Sequence, residues 1–186
     1  MPMAVSRLQL ARAFRGFARN VRECIETTTD AEFAVADDET RRYSTIVPAD
    51  TEDKCCHIHN PERSEIVLLA IDNRLICNHA GGIADCAVFN TLLFRLIEFK
   101  TNAMGTSGKA VSDTYQKAAD QLKETLQLFT EKERAIGIDL HDKTETECHI
   151  IINHTFPRSR TSEQTLRLAF AEETGTPLYF GNEITF

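Results

Sequence analysis

The sequence predicts an α/β sandwich in the order helix, three strands, helix, strand, helix, strand, with a central mixed sheet flanked by helices. Three observations carry this expectation. Ser64–Ile71 (SEIVLLAI) is a short apolar run ended by the Asp72-Asn73 turn pair, the signature of a buried strand. Leu92–Thr101 (LLFRLIEFKT) is the most strand-like run in the chain. Between residues 112 and 136, Tyr115, Ala118, Leu122, Leu126 and Phe129 recur at helical spacing.

The elements follow in chain order. Residues 6–28 read as a helix, because Leu10, Phe14, Phe17, Val21 and Ile25 form one stripe. Residues 30–54 are acidic and read as an irregular loop or a short helical excursion. After Ser64–Ile71, residues 74–78 are expected to continue a hairpin. Gly81-Gly82 breaks the chain before a strand over Ile83–Phe89, and Asn90-Thr91 turns it into Leu92–Thr101. Ser112 is the expected cap of the long helix. Cys148–Phe156 reads as a strand, and Thr161-x-x-Gln164 as a capping box for a helix closed by Gly175. Leu178–Phe186 is a last short strand or tail.

At 186 residues and 42% hydrophobic, the chain is long enough for a core of its own, and its composition excludes a disordered or collagen-like protein. One domain over 1–186 is expected, with an N-terminal helix and acidic loop (1–63), a core (64–156) and a C-terminal helix and strand (157–186). Twenty-one Lys and Arg against 28 Asp and Glu leave a net charge of −7, which argues against indiscriminate nucleic-acid binding. The charge is uneven, since residues 1–22 carry five Arg and no acid. The apolar runs fall far short of the ~20 residues of a membrane span, and no secretory leader is apparent. The six cysteines are therefore read as reduced thiols in a cytoplasmic protein without membrane attachment.

The chemistry-bearing stretch is residues 84–100, ADCAVFNTLLFRLIEFK. On a strand, Glu98 and Lys100 project from one face with Leu92, Phe94 and Leu96, while Ile97 and Phe99 project from the other. That face is apolar and then turns charged, which implies a cleft or a paired site, because buried charges need partners. If Ile83–Phe89 pairs antiparallel across the turn, Asp85 falls near Glu98. Two adjacent carboxylates repel unless a cation lies between them, and oxygen donors suit Mg²⁺ or Mn²⁺.

This Asp, then a turn, then Glu-x-Lys between apolar strand residues resembles the PD-(D/E)XK restriction-endonuclease-like superfamily, over roughly residues 6–156. The resemblance implies an αβββαβ core and a Mg²⁺- or Mn²⁺-dependent nuclease acting on nucleic acid, with DNA the expected substrate. It makes Asp85 and Glu98 the metal ligands and Lys100 the catalytic lysine, with Gln116 or Gln121 on the following helix in support. Asp85 follows Ala84 instead of proline, and the first-helix acids Glu23 and Glu26 point away from the apolar stripe. The alternative is a non-catalytic subunit or scaffold of that fold in a nucleic-acid or defence complex, as a homodimer or with a partner protein subunit; a small-molecule- or protein-binding α/β domain is a third reading.

Other candidates are less specific. Arg158 and Arg160 precede the capped helix and could meet a phosphate. Cys55-Cys56-His57-x-His59 and Cys77-x-His79 hold zinc-type ligands, yet their spacing is not that of a knuckle, so no structural zinc is expected. No P-loop and no G-x-S-x-G elbow occurs.

Overall fold

The structure, a computed structural model, describes residues 6–17, 20–77, 79, 82–103, 107–138, 144–153 and 155–186. It is a mixed α/β fold in three layers. Along the chain come α1 (Arg7–Ala13), a 3-10 turn at Val21–Cys24, β1 (Ile25–Thr28), β2 (Glu32–Asp38), β3 (Tyr43–Val47), β4 (Cys55–His59) and β5 (Ile66–Ala70). Then follow β6 (Cys86–Phe89), β7 (Leu93–Lys100), α2 (Gly108–Ala135), β8 (Glu145–Ile152), α3 (Arg160–Thr174), β9 (Leu178–Gly181) and β10 (Glu183–Thr185).

Six strands form the central sheet in the order β1-β5-β6-β7-β8-β9, and four form a second sheet in the order β10-β4-β2-β3. In the central sheet β1, β5, β6 and β7 pair antiparallel in succession, whereas β7–β8 and β8–β9 are parallel. Both parallel pairs are crossover connections through a helix, α2 and then α3, as parallel neighbours require. Strand alternation divides the core in two. Val67, Leu69, Ala87, Phe89, Phe94, Leu96, Cys148 and Ile150 face the helices, with Leu10 of α1 and its cap Phe14, Tyr115, Leu122 and Phe129 of α2 and Phe170 of α3. Ile66, Leu68, Val88, Ile97 and Ile151 face the second sheet and meet its Phe33, Val35, Cys56 and Ile58.

The second sheet was not expected from the sequence. Residues 30–54, irregular by sequence pattern, contain β2 and β3, paired from Ala34↔Val47 to Asp38↔Tyr43. Phe33 and Val35 alternate into the core, and their burial outweighs the acidic flanks. The first helix is much shorter than the 6–28 stripe implied: Phe14 caps α1, and Gly16 at φ 101° carries the chain out of it. Ile25 and its neighbours pair with β5 instead, so residues 1–63 contribute to both sheets.

Smaller differences concern element ends. Residues 73–76 make a tight turn with a single Asp72↔Ile76 bridge, not a strand, while Asn78 lies outside the described residues. Ser107, not Ser112, caps α2 by accepting from the amide of Ala110 at 3.2 Å. α3 starts behind Ser159, whose hydroxyl bonds that of Ser162, so Thr161 and Gln164 lie within the first turns and make no capping box. Gly175 closes α3 at φ 70° as expected. β8 runs over 145–152, and Phe156 instead packs on Tyr115 with centroids 5.9 Å apart. Among the described residues no helix is long and apolar enough to cross a membrane.

Candidate active site

The carboxyl end of β7 lies between the start of β6 and the middle of α2. The β6–β7 register pairs Cys86 with Ile97 and Ala87 with Leu96; carried one residue further, it sets Asp85 opposite Glu98. The register is local in origin. Asn90 Oδ1 accepts from the amides of Leu92 and Leu93, and the Asn90 amide donates to the Leu93 carbonyl, so a short tight turn locks the hairpin. Asp85 Oδ2 accepts from the Phe99 amide at 2.6 Å, which ties its carboxyl to the strand of Glu98 and Lys100.

Glu98 is 1% exposed, and Lys100 donates to its Oε1. Lys100 Nζ also donates to Gln121 Oε1 at 2.8 Å, and Gln121 Nε2 donates to the Ile83 carbonyl at 3.2 Å. One α2 side chain thus holds both the lysine and the segment leading into Asp85. The other oxygen of Glu98, Oε2, is buried without a hydrogen-bond partner among the described residues. Burial pushes the Glu98 carboxyl up to about 7 against the opposing pull of Lys100. Asp85 is raised well above the ordinary carboxylate range by burial, and further by Glu98 beside it, with the Phe99 amide opposing.

Two acids that the sequence did not single out share this field. Asp72 follows β5, and its amide donates to the Asp85 carbonyl at 3.2 Å. Asp37 comes from β2 of the second sheet and lines a cleft with Lys100. Asp37 is raised by burial and then by Asp72, and Asp72 is raised by burial. The other acids add to the rise at Asp37, Asp85 and Glu98, which Lys100 opposes, while Arg42 opposes the rise at Asp72. Asp72 had a local sequence signal, at the end of an apolar run; Asp37 had none, because only the packing of one sheet on the other delivers it.

Of the two glutamines, the structure brings Gln121 to the site and leaves Gln116 exposed, donating to Asp120 at 3.0 Å. Glu26 is directed elsewhere: it accepts from Thr45 Oγ1 at 2.8 Å and from the Ile46 amide at 3.2 Å. Arg158 spends its fork on Glu163, at 2.5 and 2.6 Å, while Arg160 is exposed at the first position of α3. In the Cys/His segment, Cys56 and Ile58 enter the inter-sheet core, and Cys55 Sγ lies 3.6 Å from His57 Nε2 on the other face. His59 faces Glu32 at 3.9 Å and His79 faces Glu124 at 3.8 Å, and Cys77 is exposed. Among the described residues no group of three or more His, Cys, Asp and Glu side chains is placed to hold a metal ion.

A second buried charged group, between the sheets, uses Arg95, Glu147 and His149. Arg95 Nε donates to Glu147 Oε2 at 2.6 Å, and His149 Nε2 lies 3.1 Å from the same oxygen. Those contacts, His149 foremost, hold Glu147 down at about 2. It is internally paired, in contrast with Glu98, whose free oxygen is not.

Compared with protein-family models, curated proteins and solved structures, the chain matches none of them.

Proposed function

We propose that the protein is a metal-dependent nuclease of the PD-(D/E)XK kind, hydrolysing phosphodiester bonds, with DNA the expected substrate. The observation that carries this reading is the meeting of Asp85, Glu98, Lys100 and Gln121 at one sheet end, with one buried Glu98 oxygen unpartnered among the described residues. The run β5, β6, β7, α2, β8, paired antiparallel, antiparallel and then parallel, supports an αβββαβ core. The strands β1–β4 between α1 and that run depart from the compact pattern.

Asp85 and Glu98 would hold Mg²⁺ or Mn²⁺. Two carboxylates suit Mg²⁺, which commonly completes its shell with waters and substrate phosphate, and a buried carboxylate oxygen without a donor suits a hard cation. When bound there, the ion would polarise a phosphate oxygen and make a water more acidic. The chain's own residues supply orientation. Phe99 N–H fixes Asp85, Gln121 fixes Lys100, and the remaining ammonium proton of Lys100 is available to an attacking water or a phosphate oxygen. The second reading, a non-catalytic subunit of the same fold, is favoured by one observation: Lys100 already occupies Glu98 Oε1.

The test is cleavage of plasmid, linear duplex and single-stranded DNA and RNA under saturating Mg²⁺ or Mn²⁺. Glu98→Ala and Lys100→Ala are expected to lose activity by at least about a hundredfold, with Lys100→Ala keeping its melting temperature in Mg²⁺. Calorimetric Mn²⁺ binding is expected to disappear in Asp85→Ala. A folded Lys100→Ala protein with full activity, or unchanged Mn²⁺ binding by Asp85→Ala, overturns the assignment. A wild type that binds nucleic acid and cuts none is the non-catalytic subunit.

A further inference from the structure

Beside the candidate site lies a cleft of about 350 Å³, with Phe99 to Ala103 along one side. Thr114 and Lys117 of α2 form another wall, and Asp37 faces in from the second sheet. The cleft therefore opens at Lys100, between the parallel strand end and the first half of α2. Its donors are unevenly spent. Lys100 uses two of its three ammonium protons on Glu98 and Gln121. Asn102 donates one amide proton to Glu39 at 3.0 Å, and among the described residues the other has no acceptor. The Thr114 hydroxyl is committed to the Ala110 carbonyl at 2.8 Å. Lys117 is exposed, and among the described residues it has neither an ion pair nor a hydrogen bond. Its helix neighbour Asp120 is engaged by Gln116 and approached by Lys123 at 4.0 Å. Lys100, Asn102 and Lys117 thus line one polar hollow together with a single acid, Asp37, a set of donors that suits a phosphate.

We propose that Lys117, aided by Asn102, grips a backbone phosphate next to the one met by Lys100, so that a nucleic-acid strand runs from the acid cluster along the first half of α2. The ligand is the phosphodiester backbone, read without regard to base sequence. The inference rests on the nuclease reading and adds a binding residue to it.

The test uses the full chain carrying Glu98→Ala, so that nothing is cut, and fluorescence anisotropy with labelled duplex and single-stranded DNA in Mg²⁺ across a salt series. Lys117→Ala in that background is expected to bind about five- to tenfold more weakly and to lower the salt slope by about 0.7–0.9, the share of one phosphate contact. Lys117→Arg is expected to keep both. Lys123→Ala is expected to change neither, since that ammonium is paired with Glu173 at 2.7 Å beside a different groove. Equal affinity and slope for Lys117→Ala and its parent overturn the subsite and leave the nuclease reading standing. A parent and a wild type that both fail to bind either probe overturn the subsite and the nuclease reading together.

Discussion

Glu133, near the end of α2, is fully buried, and neither carboxyl oxygen has a hydrogen-bond partner among the described residues. Burial pushes it up to about 7. A carboxyl raised above its unfolded value binds more protons in the native state. Its stabilising share is therefore complete below about pH 4.5 and is lost as pH rises through about 7. Glu133→Gln removes that titration. The drop in unfolding free energy between pH 5 and pH 8 is expected to shrink by about 1–2 kcal/mol relative to the wild type. Urea denaturation at the two pH values measures it, and parallel pH dependences would remove Glu133 as a source. At this scale the sequence showed Asp85, Glu98 and Lys100 through strand alternation and a short turn. Whether a given acid ends up paired, like Glu147, or without a partner among the described residues, like Glu133, depends on neighbours far along the chain, as the Arg95–Glu147 pair shows with a separation of 52.

Between elements, Thr125 joins α2 to the entry of β6. Its hydroxyl donates to the Gln121 carbonyl at 2.7 Å and accepts from the Ala84 amide at 2.7 Å, the latter bond fully buried. Gly82, at φ 79°, has the left-handed backbone that favours glycine, and an added Cβ would be 3.1 Å from Gln121 Cγ, so that side chain would have to shift. Thr125→Val keeps the volume and strands the Ala84 amide, at an expected cost of about 1–3 kcal/mol; Thr125→Ser keeps the bond and should cost less. Denaturant unfolding compares them, and equal losses for both would show that packing, not the hydrogen bond, matters there. Helical periodicity made α2 legible, because Tyr115, Ala118, Leu122, Leu126 and Phe129 are all buried. The same periodicity overextended α1, since a stripe records which residues are apolar and not whether Gly16 lets the helix continue.

Across the molecule, the two sheets pack through apolar faces and are fastened at one side by Glu26 of β1, which accepts from Thr45 and Ile46 of β3. Removing it in Glu26→Ala leaves the Thr45 hydroxyl and the Ile46 amide without this acceptor. Global stability is expected to fall by about 1–2 kcal/mol, with amide exchange quickened more in β2 and β3 than in β5 to β8. Uniform exchange across both sheets would show that Glu26 is not the fastening. Legible in the sequence were the helix-and-strand alternation from β5 to β9, the buried faces of β7 and α2, and the approach of Asp85 to Glu98. All of these follow from repeats of two or 3.6 residues, or from one tight turn, and need no distant contact. Packing settled that residues 30–54 contain β2 and β3, that Gln121 and not Gln116 reaches Lys100, and that Asp37 joins the acids. Each of those depends on which surfaces meet after collapse, where burying Phe33 and Val35 against the central sheet outweighs local acidity, and no short-range pattern encodes that meeting.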